Sequence, residues 1–160
     1  MDNPRASHAS LVRAVIECTR GQTMRTRLDA EGRSVDVRAL PAGVRYPFNY
    51  GYIEGTRVED GEELDVFVLG PARAPGTRLD VVVLDALAFH DPRGDDPKLI
   101  ACAAQDADSA PDVAGAAALV AAFLRAYKRE TEPRTVGGLV GPAGAARLVE
   151  AARRRLAADA

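Results

Sequence analysis

Apolar and polar residues alternate along the N-terminal two thirds of this chain, and the period then changes from two to about three and a half. Leu11 to Cys18 reads as a first strand, with Glu17 on the face opposite Ile16. Gly21 opens a turn, Thr23 to Leu28 forms a second strand, Asp29-Ala30-Glu31-Gly32 turns again, and Ser34 to Leu40 returns as a third, giving a meander. Thr77 to Phe89 holds the apolar run Val81-Val82-Val83-Leu84 of a buried strand, and Leu99 to Ala103 comes back beside it. Val113, Ala117, Val120, Phe123, Leu124 and Tyr127 then recur at helical spacing, so Pro111 to Arg129 reads as an amphipathic helix. Pro133 and Gly137-Gly138 mark a connection, and Pro142 opens a second helix carrying Ala145, Leu148, Val149, Ala152 and Leu156 inward. Residues 1–10 read as a loose leader to a single domain spanning 1–160. Many short strands followed by helices give a mainly β, α+β chain: an antiparallel sheet or barrel with two C-terminal helices packed outside.

The stretch from Tyr46 to Leu69 organises the rest. Asp60-Gly61 is a tight-turn signal, because both residues tolerate positive φ, and strands are expected on either side of it. From Glu63 onward Leu64, Val66 and Val68 share one face and Asp65, Phe67 and Leu69 the other. Asp60, Glu62 and Asp65 therefore crowd one end of a hairpin, where their repulsion calls for a counter-cation such as a divalent metal. A solvated acidic turn is the other reading of the same residues. His90 to Lys98, a Pro- and Gly-containing turn with Asp91, Asp95 and Asp96, poses the same choice.

Composition narrows the options. The chain is 47% hydrophobic and 28% charged with a formal net charge of −2, so it carries no basic footprint for nucleic acid. Aromatic residues make up only 5% and Trp is absent, which leaves little for base stacking. No apolar run reaches membrane-spanning length and residues 1–10 lack a signal-peptide pattern, so the expected location is cytoplasmic. Cys18 and Cys102 stand apart in apolar contexts and read as buried reduced thiols. Of the 21 basic residues only Lys98 and Lys128 are lysines, and a compact ammonium is not interchangeable with an Arg fork at a phosphate.

Tyr46-Pro47, Asn49-Tyr50-Gly51-Tyr52 and Asp60-Gly61-Glu62-Glu63-Leu64-Asp65-Val66 together resemble the soluble family I inorganic pyrophosphatases, and Asp91, Gly94, Asp96, Lys98 and Leu99 match a second stretch of that family. The resemblance implies a five-stranded OB-like barrel with helices beside it. It implies Mg²⁺-dependent hydrolysis of pyrophosphate to two phosphates by direct attack of a metal-activated water, with Mn²⁺ as a possible substitute. By the same resemblance Glu17, Asp60, Asp65, Asp91 and Asp96 are the metal residues, Glu62, Asp65 and Tyr50 the catalytic ones. Arg25, Arg38, Tyr50, Lys98, Tyr127, Lys128 and Arg134 are the substrate contacts, and the protein is a homo-oligomer, a hexamer in the family.

The chain departs from the family pattern at defined places. Glu62 replaces an Asp, Arg25 and Arg134 replace lysines, Thr26-Arg27 occupies a segment where an acidic residue is usual, and Ala126 stands where some bacterial members carry a subunit-contact His. One added methylene moves the Glu62 carboxylate by about an ångström, a displacement that can cost on the order of a hundredfold in rate. Two functional readings follow: an active pyrophosphatase, or a weakened relative that binds metal and phosphate compounds with little turnover.

Overall fold

The structure, a computed structural model, describes residues 10–127 and 133–159. Its strands are β1 (Ser10–Cys18), β2 (Met24–Leu28), β3 (Ser34–Ala39), β4 (Asn49–Ile53), β5 (Asp65–Leu69), β6 (Arg78–Asp91), β7 (Gly94–Asp95), β8 (Lys98–Ala103) and β9 (Thr135–Leu139). The helices are α1 (Val113–Ala126) and α2 (Pro142–Ala158), with a 3-10 helix at Ala104–Ser109. Strands β1, β4, β5, β8 and β6 pair in that order, and β6 pairs back with β1, which closes a five-stranded barrel. Both helices pack outside it. No helix among the described residues is long and apolar enough to cross a membrane.

Barrel closure depends on the length of β6. Its first part lies against β1, from Arg78 opposite Val15 to Val83 opposite Ser10. Past an irregularity at Val83/Asp85 the strand still pairs with β8 as far as Leu87, and between Leu87 and Asp91 it pairs with β9 and β7. Because β8 slots between β5 and β6 and runs antiparallel to β6, it pairs with β5 in parallel, Val66 opposite Leu99. The barrel is thus antiparallel except at that one seam.

Alternation along β5 feeds two cores. Val66 and Val68 join Ile16, Ile53 and Leu99 against Ala145, Val149 and Ala152 of α2. Phe67 and Leu69 face the other way, into Tyr46, Ile100 and the Val120, Phe123 and Leu124 stripe of α1. Each such side chain withdrawn from water contributes roughly 1.5–3 kcal/mol before ordering costs. The helix ends are tied down: Asp112 caps α1 by accepting from the Gly115 N–H at 2.9 Å, and buried Asp85 accepts the Gly141 N–H at 2.9 Å where α2 begins. Cys18 and Cys102 are both buried and unpaired.

Three sequence expectations are corrected. Asp60-Gly61 does not form the turn between paired strands. Although β4 and β5 pair as expected, Tyr52 opposite Asp65, their connection runs through residues 54–64. Buried Thr56 organises that loop, its Oγ1 donating to the Ile53 carbonyl at 2.6 Å and accepting the Leu64 N–H at 3.1 Å. Gly61, at φ 89°, serves a smaller turn inside it, closed by the Val58 N–H on the Glu62 carbonyl at 2.8 Å. Secondly, β2 and β3 do not continue a meander but form their own two-stranded sheet. Thirdly, the stretch read as a connection at Gly137-Gly138 is a strand, with Leu139 opposite Leu87 and Thr135 opposite His90.

Candidate active site

A cavity of about 600 Å³ opens where the β2–β3 sheet meets one end of the barrel. Strand alternation decides which side chains reach it. On β2, Arg25 and Arg27 share a face, and their cross-strand partners on β3 are Arg38 and Asp36. All four line the cavity. The barrel supplies Glu17 from β1, Tyr50 and Tyr52 from β4, Asp65 from β5 and Lys98 from β8. Glu62 comes from the 54–64 loop, and Asp91 and Asp96 flank the β6–β7 turn.

Lys98 is the buried centre of this arrangement. Its side chain is 3% exposed, and Nζ lies 2.6 Å from Asp65 Oδ2 and 2.8 Å from Asp96 Oδ2. Burial disfavours the ammonium, yet the two carboxylates outweigh that and push its pKa up. Asp65 is driven up by burial and by Asp96, against the opposing pull of Lys98 and a hydrogen bond from Tyr50. Tyr50 is partly buried at the cavity wall, and burial raises its pKa well above the ordinary phenol value, with Asp65 and Asp96 adding to the effect. Its hydroxyl therefore keeps its proton and acts as a donor. Burial also lifts Glu17 from 4.5 to about 7, although its Oε2 accepts the Leu28 N–H at 2.9 Å.

A cationic side faces these acids. The Arg25 and Arg134 guanidinium carbons lie 6.0 and 5.6 Å from the Tyr127 ring centroid, so one aromatic plane steadies both. Tyr127 itself stacks on Phe123 with ring centroids 5.3 Å apart. Arg38 Nε stands 3.0 Å from Asp36 Oδ1.

Of the residues singled out from sequence, Glu17, Arg25, Arg38, Tyr50, Glu62 and Asp65 come together on this one cavity, as do Asp91, Asp96, Lys98, Tyr127 and Arg134. Asp60 is not part of the lining. Its Oδ1 accepts the Glu62 N–H at 2.9 Å and so holds the loop that presents Glu62. Lys128 lies outside the described residues. The cavity also contains Arg27, Asp36, Glu63 and Arg93, which the sequence reading did not assign to it. Alternation from Arg25 was the available signal for Arg27; Arg93 was concealed in what read as an acidic turn.

The donor chemistry fits a hard divalent cation. Glu17, Asp65, Asp91 and Asp96 offer only carboxylate oxygens, from separate strands and one turn, around a polar space. Among the described residues no group of three His, Cys, Asp or Glu side chains is already gathered closely enough to hold an ion. Lys98 instead neutralises Asp65 and Asp96 directly.

The inorganic pyrophosphatase family model matches residues 14–157. The inorganic pyrophosphatase of Sulfolobus acidocaldarius is 34% identical over 101 residues, covering 62% of this chain and 58% of that protein. That of Aeropyrum pernix is 38% identical over 93 residues, covering 57% and 53%. The aligned stretch thus spans little more than half the length of these curated relatives. In three dimensions the crystal structure of inorganic pyrophosphatase from Thermus thermophilus superposes with a TM-score of 0.82 at 28% identity, covering 98% of this chain and 94% of that one.

Proposed function

The chain belongs to the inorganic pyrophosphatase family, and from that membership we propose that it hydrolyses inorganic pyrophosphate to two phosphates. The observation that carries the reading is the apposition, across one cavity, of the Asp65–Lys98–Asp96 cluster and the arginines of the β2–β3 sheet. A triple-charged or more highly charged anion needs such cations, and the carboxylates need a metal to share the space with it.

The family implies a divalent metal cofactor, which we take to be Mg²⁺ with Mn²⁺ as a substitute. Glu17, Asp65, Asp91 and Asp96, which line the cavity, are the residues assigned to hold it; Asp60, outside the lining, is assigned with them on the sequence resemblance only. When bound, such a cation supplies positive charge beside the phosphoryl oxygens and a more acidic water. Arg25, Arg38, Arg134 and Lys98 bind phosphoryl oxygens and orient the diphosphate, with Lys128 assigned the same part. Tyr50 and Tyr127 donate hydrogen bonds through their hydroxyls. Glu62, on its exposed loop, takes the proton of the attacking water at a carboxylate oxygen, with Asp65 beside it. A new P–O bond forms to that water, the P–O bond to the bridging oxygen breaks, and the bridging oxygen departs on the second phosphate. No covalent enzyme intermediate is needed.

Cys18 and Cys102, buried and unpaired, suit a reducing compartment, and we place the reaction in the cytoplasm. We also propose a homo-oligomer, a hexamer by family resemblance, for which exposed Val35 and Val37 on one face of β3 offer apolar surface. The alternative, a weakened protein that binds metal and phosphate compounds, is favoured by the longer side chain of Glu62 and by Arg25 and Arg134 standing in place of lysines. Phosphate release from pyrophosphate with Mg²⁺, Mn²⁺ or no metal, and with ATP and p-nitrophenyl phosphate as controls, separates them. Fast metal-dependent release restricted to pyrophosphate is expected. Binding without release from folded protein would instead establish the alternative.

A further inference from the structure

The turn joining β6 to β7 sets an arginine among the carboxylates. The Arg93 N–H donates to Asp91 Oδ1 at 2.8 Å, and its Nη2 stands 3.6 Å from Asp91 Oδ2. The Asp91 side chain is only 7% exposed whereas that of Arg93 is 58% exposed, so the carboxylate is fixed and the guanidinium lies on its water-facing side. Arg93 lines the same cavity as Glu62, Asp91 and Asp96.

Two cations therefore serve the acidic side of the cavity in different ways. Lys98 is enclosed and bridges Asp65 to Asp96, so it is held in place. Arg93 reaches Asp91 from solvent on a long side chain, at a distance and exposure that make the contact weak and easily exchanged. A divalent ion bound at Asp91 would stand beside this positive charge.

Resting on the pyrophosphatase reading, we propose that Arg93 is a tethered cation that competes with divalent metal for Asp91, and so raises the metal concentration at which the site fills. It is a positioning residue for the metal and not a ligand. Its charge, more than its shape, produces the effect, and the effect weakens as salt screens the exposed guanidinium.

The test is direct Mn²⁺ binding to the full chain without substrate, followed by the electron paramagnetic resonance signal of free Mn²⁺. Arg93→Gln should tighten binding about three- to tenfold at low salt, with a smaller gain at high salt. Arg93→Lys, which keeps the charge, should stay near wild type. Adding Asp91→Asn should weaken binding and abolish the gain from Arg93→Gln. Unchanged or weaker binding in Arg93→Gln overturns the proposal, as does an equal gain in Arg93→Lys or a wild-type protein that binds no Mn²⁺. Pyrophosphate hydrolysis by the same wild-type preparation is scored separately. Mn²⁺ binding with the expected Arg93 pattern but no phosphate release breaks the enzymatic reading alone; phosphate release with Mn²⁺ affinity indifferent to Arg93 breaks this inference alone.

Discussion

The carbonyl oxygen of Val15 on β1 leaves no room for a side chain on Gly51 of β4: a Cβ there would stand 1.8 Å from it. The obstruction is backbone in a paired strand, so it cannot rotate away, and barrel closure holds β1 from its other edge through β6. Gly51→Ala should destabilise the fold by at least about 3 kcal/mol, or prevent folding, in urea titration. A loss below about 0.5 kcal/mol would mean that β1 and β4 are not so close.

Removing the Lys98 ammonium should expose the repulsion it contains. In Lys98→Met, Asp65 and Asp96 lose their common partner in a site where each keeps only about a fifth of its side chain exposed. Breaking a pair of this kind costs about 3 kcal/mol, near the lower end for buried pairs because of the remaining exposure. The expected result is a loss of that order in chelator, partly recovered when Mg²⁺ is added, because a divalent ion can take over the neutralisation. Equal losses with and without metal would separate this cluster from metal binding.

Asp65→Asn tests the same cluster from the acidic side. The amide keeps the shape of the side chain and an oxygen for the hydrogen bond from Tyr50, while half of the Lys98 pairing loses its charge. Phosphate release should fall at least about a hundredfold with the far-UV circular dichroism unchanged. Undiminished release at saturating Mg²⁺ would remove Asp65 from the metal residues.

The parts of this site readable from sequence were those set by short-range spacing. Asp91, Asp96 and Lys98 fall within one turn and the strand after it, and Asp65 alternates with Val66 on β5, so their placement follows from local geometry. The parts missed depend on what lies across the barrel. Gly137-Gly138 read as a linker, yet a Cβ on Gly137 would come within 2.9 Å of Ala88 Cβ, so the residue is small because β9 packs tightly on β6. Asp60-Gly61 carried the right turn chemistry at the wrong scale: Thr56, not the Asp-Gly pair, bridges the ends of the loop through Ile53 and Leu64. Alternation puts Arg27 on the same face as Arg25, but which face of the β2–β3 sheet meets the cavity is set by how that sheet sits against the barrel, not by β2 or β3 alone.

Glu62→Asp should keep or raise turnover. The loop fixes the backbone on both sides of this residue, with the Glu62 N–H donating to Asp60 Oδ1 at 2.9 Å and its carbonyl accepting the Val58 N–H at 2.8 Å. Shortening the side chain therefore changes the reach of the carboxylate and little else. Steady-state phosphate release at saturating Mg²⁺ decides the matter: a fall of tenfold or more would show a site adapted to the longer acid.

Glu17 gives the metal-free protein a pH-dependent stability of definite sign. Its carboxyl rises from 4.5 to about 7 on folding, chiefly through burial, with Asp65 and Glu63 adding to the shift and the Leu28 N–H opposing it. A group whose pKa is raised by folding holds its proton more tightly in the native state. Its stabilising contribution is complete below pH 4.5 and is lost as pH climbs through about 7. Glu17→Gln retains a side-chain oxygen to accept the Leu28 N–H and does not ionise, so it should match wild type at pH 4 and exceed it at pH 8 by up to about 3 kcal/mol. Urea titrations in chelator across that range provide the measurement. Parallel stability curves for the two proteins would show that Glu17 ionises normally despite its burial, and a wild type that gains relative to Glu17→Gln with rising pH would show that a cation already stabilises the carboxylate.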